Sequence, residues 1–291
     1  MALLNLDFES EYMGFNQNVN IILPDKPRLV TPQEFYGSGK KYKVLWLLHG
    51  TFGGYSDWIR KSNIELYACE KDLIVVMPGV GNSDYESWNN FTFGLDAERY
   101  ITNELMPLVY NWLPASSKRE DNFVAGLSMG GAGAMKFALK YPEKFSCCAS
   151  LSYCPSAPYT ASLAALFAKK RAETIDPEDV MHSKLRIYNR MHRYDTFEEY
   201  LDSDDNLYGL LMKSLDRKDL PAFFFSTGTE DPLMAEPYRK LKKELTAEGF
   251  EAEWHEGPGM HEWRVWDRDI QKAFVFFGLD NNDNEVKGNE F

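Results

Sequence analysis

The stretch VAGLSMGGAG, Val124 to Gly133, sets a serine between glycines directly after a short apolar run. Within it, Gly126-Leu127-Ser128-Met129-Gly130 matches G-x-S-x-G. In that pattern a serine rides a strained turn from a strand into a helix, with its hydroxyl held out for attack. A glycine-rich turn that merely contains serine matches too, and chance supplies one in roughly one chain in ten of this length. The neighbouring residues therefore decide. NFVA, Asn122 to Ala125, reads as a buried strand, and GAGAMKFALKYP, Gly131 to Pro142, reads as a helix that stops at proline. The small residues Gly130, Gly131, Ala132 and Ala134 let this helix lie close to neighbouring strands. The strand–turn–helix setting is complete.

Outward from this turn, short apolar runs alternate with helix-like segments. VNIILP (19–24), KVLWLLHG (43–50), DLIVVMPG (72–79), CCASLSYC (147–154), AFFFSTG (222–228) and EAEWHEG (251–257) read as strands. Most are continuous apolar blocks, as expected for strands covered on both faces. ERYITNELMPLVYNWL (98–113), AEPYRKLKKELTAEGF (235–250) and VWDRDIQKAFVFFGL (265–279) read as helices. This alternation predicts an α/β chain with a mostly parallel central sheet flanked by helices. LLNLDFESEYM and QNVNIILP are expected to pair antiparallel at one edge.

No repeat or linker divides the chain, so residues 1–291 are expected to form a single domain. One region breaks the rhythm. From Pro155 to Leu220 the connection is far longer than the 2–6 residues plus a helix usual between such strands. It is read as a helical cap insertion, 155–220, with ASLAALFAKKRAE and TFEEYLDSDDNLYGLLMKSL as its helices. The polar tail DNNDNEVKGNEF is expected to fray.

Composition narrows the function classes. Hydrophobic residues make up 44% and aromatics 14% of the 291 residues, enough for a sizeable core. The net charge of −12 argues against a nucleic-acid partner, which calls for a basic face. No apolar run approaches the roughly 20 residues of a membrane span. MALLNLDFESEY lacks the basic and apolar regions of a signal peptide, so a cytoplasmic address is expected. Cys69, Cys147, Cys148 and Cys154 suit buried thiols better than a disulfide framework, and no C-x-x-C offers a zinc site. The acidic run DSDDN, Asp202 to Asn206, lacks the calcium-loop pattern and reads as a solvated helix start; no metal and no cofactor are expected.

A serine nucleophile needs a base, usually histidine. His182 and His192 sit among charged residues of the insertion, and His255 lies inside a strand. His261 follows GPGM in a loop past a strand's carboxyl end, where α/β sheets place catalysts, and is the preferred base. Glu230 and Asp231 follow another buried strand and are the candidate acids. The order Ser…Asp…His is that of α/β-hydrolases. One oxyanion donor is expected at the amide of Met129, after the nucleophile, and the other in LLHGTFGGYSDW. His49, in that loop, is read as shaping it.

NVNIILP, LLHGTFGGYSDW, DLIVVMP, GLSMGG, GTEDPLM and HEGPGMHEW together resemble the esterase D-like branch of the α/β-hydrolases, nearest to its tributyrin esterase group. The resemblance spans about residues 10–280 and is weakest in the insertion. It implies the α/β-hydrolase fold, a triad of Ser128, Asp231 and His261, and a second oxyanion donor at Thr51, with Gly50 as the fallback. It also implies a serine carboxylesterase acting on short-chain acyl esters, with aryl or acetylated-sugar esters in range. Family members often assemble, so a homo-oligomer is expected. Phe52, Tyr55, Trp58 and Trp263 lie near the motifs and are expected to line the substrate pocket. Two alternatives stay open: an acyltransferase on the same triad, and a non-catalytic binding protein on the fold.

Overall fold

A computed structural model of the protein describes residues 2–88, 94–157 and 193–279. Eight strands form one sheet: β1 (Ala2–Ser10), β2 (Phe15–Leu23), β3 (Val44–Leu48), β4 (Ile74–Pro78), β5 (Asn122–Leu127), β6 (Cys147–Leu151), β7 (Ala222–Gly228) and β8 (Glu253–Gly257). Their spatial order is β1-β2-β4-β3-β5-β6-β7-β8. β2 runs against both its neighbours, and every pair from β4 to β8 is parallel. The expected antiparallel edge pair is β1 with β2, in register from Ala2↔Leu23 to Ser10↔Phe15.

The continuous apolar strands follow from a sheet covered on both sides. Along β3, Val44, Trp46 and Leu48 enter one core while Leu45 and Leu47 enter the other. The first core holds Tyr100, Met135, Phe137 and Leu241, and the second holds Trp58, Phe123, Ile270 and Phe274. Each such side chain stabilises the fold by about 1.5–3 kcal/mol on burial. The four cysteines are all unbonded, and three of them are buried. No helix among the described residues is long and apolar enough to cross a membrane.

The predicted helices that lie in the described residues fall where periodicity placed them, with two differences, while Pro32–Tyr36, Asp57–Lys61 and Ile64–Glu70 are short helices that periodicity did not reveal. ERYITNELMPLVYNWL is not one α-helix: Tyr100–Leu105 is a π-helical turn that leads into Met106–Trp112. Pro107 supplies the reason, because its ring clashes with the carbonyl four residues back and it cannot donate. TFEEYLDSDDNLYGLLMKSL divides into Phe197–Asp202 and Leu207–Lys213. The break falls where the Asn206 side chain accepts from the Gly209 N–H and starts a new helix. ASLAALFAKKRAE, His182, His192 and the tail lie outside the described residues.

DSDDN is not wholly solvated. Asp205 is buried, and its carboxylate takes Lys136 Nζ at 2.6 Å and the Arg193 guanidinium. Lys136, itself buried on the helix Met129–Lys140, also meets Glu98 at 3.2 Å, and Arg193 meets Glu86 at 2.8 Å. This cluster ties the end of the insertion to the helix behind Ser128. Burial alone raises the Asp205 pKa, but Lys136 and Arg193 outweigh it and hold the carboxyl well below its ordinary range. Such a depressed carboxylate stabilises the fold above its unfolded pKa of about 3.9, and that contribution fades as pH falls further. Lys136→Met leaves Asp205 to Arg193 and Glu98 to Lys140, each one buried cation short, and should cost about 2–3 kcal/mol in chemical denaturation at neutral pH. The deficit should shrink below about pH 4 as those carboxylates protonate.

Candidate active site

Ser128 sits between β5 and the helix Met129–Lys140 with φ 52° and ψ −118°, a conformation worth about 1–3 kcal/mol of strain. Its N–H donates to the Leu151 carbonyl at 2.8 Å, and its carbonyl accepts from Ala132. The flanking glycines are required by contact. A Cβ on Gly126 would lie 2.3 Å from the Gly130 carbonyl oxygen, and one on Gly130 would lie 2.4 Å from that of Leu48. The G-x-S-x-G spacing is thus a statement of how near the helix start comes to β5 and to the end of β3.

Three other strand ends converge here. β8 leads into the loop carrying His261, and its Nε2 lies 3.0 Å from Ser128 Oγ. β7 leads to buried Asp231, whose Oδ2 lies 2.8 Å from His261 Nδ1. The other carboxylate oxygen accepts from the N–H groups of Leu233 and Met234, at 2.9 and 3.0 Å. Burial pushes the Asp231 pKa up, but the hydrogen bond from His261 and those two amides hold it below the ordinary range. The structure therefore brings Ser128, His261 and Asp231 into one hydrogen-bonded series.

Glu230 and His255 stand apart from it. The Glu230 carboxylate accepts from the Gly259 N–H at 2.5 Å, while its own N–H donates to the Gly259 carbonyl at 3.1 Å. That reciprocal pair braces the loop holding His261. His255 Nε2 faces the buried carboxylate of Asp269 at 3.5 Å. Burial lowers the His255 pKa against the pull of that carboxylate.

The loop after β3 is organised by His49. Its Nε2 accepts from the Val80 N–H at 3.1 Å, which leaves Nδ1 to donate to the Gly50 carbonyl at 2.8 Å. Burial lowers its pKa and keeps the ring neutral, the state this pair of bonds needs. A trans peptide holds C=O and N–H antiparallel, so fixing the Gly50 carbonyl fixes the direction of the Thr51 N–H. Across the nucleophile, Met129 opens the helix, and its N–H has no acceptor within that helix. Tyr85 closes the frame: its hydroxyl donates to the His49 carbonyl at 3.0 Å, and its ring fills the space that Gly133 leaves open.

The four expected pocket aromatics separate. Phe52 is 76% exposed beside the loop, and Tyr55 is half-buried with its ring over Gly79. Trp58 is a correction. It is 1% exposed, donates its indole N–H to the Leu48 carbonyl, and offers no open surface to a ligand. Trp263, half-buried, stands edge-on to Trp58 at 5.2 Å and to Trp266 at 5.3 Å, and Trp266 stands edge-on to His261 at 5.1 Å. These rings form a ladder that backs the imidazole. Sequence reading passed over Trp266, although its three-residue offset from Trp263 puts both indoles on one helix face. It also donates to Ser152 Oγ at 3.0 Å.

A parallel sheet flanked by helices, with a strained serine hydrogen-bonded through histidine to a carboxylate, defines a serine hydrolase of the α/β-hydrolase fold. The comparisons agree. The chain belongs to the esterase family, whose model, described as "Putative esterase", matches residues 10–277. An acetyl esterase from Caldicellulosiruptor saccharolyticus is 28% identical over 278 residues, covering 94% of this chain and 97% of the relative. FphF of Staphylococcus aureus, a fluorophosphonate-binding serine hydrolase solved with substrate bound, is 29% identical with a TM-score of 0.74. The match covers 96% of this chain and 99% of that one. The S-formylglutathione hydrolase FrmB of the same organism is 30% identical with a TM-score of 0.74, covering 95% and 98%. The protein is accordingly a carboxylic ester hydrolase of the serine type.

Gly130→Ala tests the packing argument. The added methyl must displace the carbonyls at the end of β3, so stability should fall by at least about 2 kcal/mol. Ester turnover should fall with it, because the His49 carbonyl is among the displaced groups. Thermal melting and initial rates check both.

Proposed function

We propose that the protein hydrolyses short-chain carboxylic esters through an acyl-enzyme on Ser128. The observation that carries this is the series from Ser128 Oγ through His261 to Asp231, at 3.0 and 2.8 Å. His261 Nε2 accepts the serine proton as Oγ attacks the ester carbonyl, and Nδ1–H stays bonded to Asp231. The amides of Met129 and Thr51, with Gly50 as the alternate, receive the developing oxyanion. Each such donor is worth about a hundredfold to a thousandfold in kcat in serine hydrolases. The imidazolium then protonates the leaving alcohol, and water activated by the same histidine releases the acid.

Residues 155–220 form the cap in this reading and limit the acyl side. The acetyl esterase relative supports a short acyl group. Phe52 and Tyr55 stand on the alcohol side, which is taken to accept aryl or sugar leaving groups. Each methylene that fits an apolar pocket adds only about 1–3 kcal/mol of discrimination, whereas one that meets a wall clashes.

Ser128→Ala should lower kcat by at least about a thousandfold without unfolding the chain, and a fluorophosphonate should label Ser128 alone. Near wild-type turnover in the folded variant sinks the assignment. Asp231→Asn should be crippling and Glu230→Gln mild, since glutamine still accepts from Gly259. Equal losses would leave the acid unassigned. Asp231, held below the ordinary carboxylate range, should keep its charge and add nothing to any loss of kcat/KM in mild acid, which a pH–rate profile checks. On p-nitrophenyl esters, rates should peak between acetate and butyrate and drop sharply by octanoate. Replacing residues 161–190 with a short flexible linker spares Arg193 and Asp205 and should admit longer chains. An unchanged profile in that folded variant removes the cap from the account.

A further inference from the structure

The loop after β3 turns at Gly50–Gly53, where the Gly53 N–H donates to the Gly50 carbonyl at 3.1 Å. Phe52, third residue of the turn, has φ 60°, while Thr51 is not left-handed. That combination is the signature of a type II turn, whose central peptide is flipped relative to type I. The third position favours glycine, because a side chain there crowds the backbone. Here it carries a phenylalanine whose ring lies mostly in solvent, so ring packing does not hold the backbone in place. Nor does the turn's own hydrogen bond choose, since both turn types make it.

One contact from outside the turn does choose. The Phe52 N–H donates to Asn82 Oδ1 at 2.8 Å. Two residues earlier, Val80 donates to the His49 ring that holds the Gly50 carbonyl. The segment from Val80 to Asn82 therefore grips the loop on both sides of the Thr51 amide. Val80 acts on the Gly50–Thr51 peptide through His49, and Asn82 acts on the Thr51–Phe52 peptide directly.

We infer that Asn82 is a positioning residue for the oxyanion loop, holding the Thr51–Phe52 peptide in its flipped orientation. The inference rests on the reading of Thr51 as an oxyanion donor. Without the asparagine, Phe52 relaxes toward negative φ and the central peptide turns over. The Thr51 carbonyl then takes the side that the Phe52 N–H now occupies, and the Thr51 N–H, although His49 still directs its own peptide through the Gly50 carbonyl, loses the second of its two anchors before the reaction begins. Donors owe their value to being in place in advance. Because the oxyanion exists only after attack, the loss falls on kcat rather than KM.

The test is a double-mutant cycle on p-nitrophenyl acetate, with melting temperatures measured alongside. Asn82→Ala should lower kcat by about tenfold to a hundredfold, while KM stays within about threefold. The melting temperature should hold, since residue 82 is exposed. In the Phe52→Gly background the same change should cost about threefold or less, because glycine takes the left-handed conformation unaided. Binding of a boronic acid, whose tetrahedral adduct mimics the oxyanion, should weaken in step with kcat. An unchanged kcat, an equal loss in both backgrounds, or a loss confined to KM overturns the inference. Ser128→Ala separates the two readings. If it is inactive while Asn82→Ala keeps full kcat, only the role of Asn82 falls. If Ser128→Ala still turns over, the esterase assignment falls and takes this inference with it.

Discussion

A left-handed serine between two glycines is the constraint on which the rest of the structure depends. Ser128 holds φ 52° because its N–H is bonded to β6, its carbonyl is bonded into the helix, and Gly126 and Gly130 let the backbones meet. Any side chain at either glycine would hold the helix Met129–Lys140 away from the ends of β3 and β5. The loop bearing His49 and Thr51 would then lose its seat beside the nucleophile. Close packing, strain and the candidate site are one arrangement.

Around that arrangement the protein fixes each polar partner from behind. His261 is bonded to Asp231 and stands against the edge of Trp266, which is itself bonded to Ser152. The loop carrying His261 is braced by the reciprocal bonds of Glu230 with Gly259. Asp231 keeps its charge in a buried position because two amides and the imidazole face it. Apolar ladders and satisfied hydrogen bonds of this kind keep a site from reorganising during reaction, which is where electrostatic catalysis gains its advantage. The buried cluster of Lys136, Asp205, Arg193, Glu86 and Glu98 does the equivalent on the far side of the nucleophile helix.

Legibility in the sequence followed the range of the interaction. The strands, the edge pair and the serine turn were readable because apolar runs, glycines and prolines report local backbone needs. His261 and Asp231 were readable from their places after strand ends, and the resemblance to esterase D-like proteins selected Asp231 over its neighbour Glu230. Trp58 misled, since an aromatic beside a motif looks the same whether it faces a ligand or the core. The π-turn before Pro107 and the break at Asn206 hid within convincing helical periodicity.

The sequence by itself determined the order of strands and helices, the strained serine and the esterase family, because those depend on residues adjacent in the chain. Only the tertiary structure decided which side chains meet. Asp205 reads as a surface acid until Lys136 and Arg193 are seen around it. Asn82 has no local signal at all, for its partner is the amide of Phe52, thirty residues away along the chain. Hydrogen bonds between distant loops are set by how strands are ordered in the sheet, and β4 lies beside β3. That neighbourhood brings the Val80–Asn82 segment against the loop that follows β3.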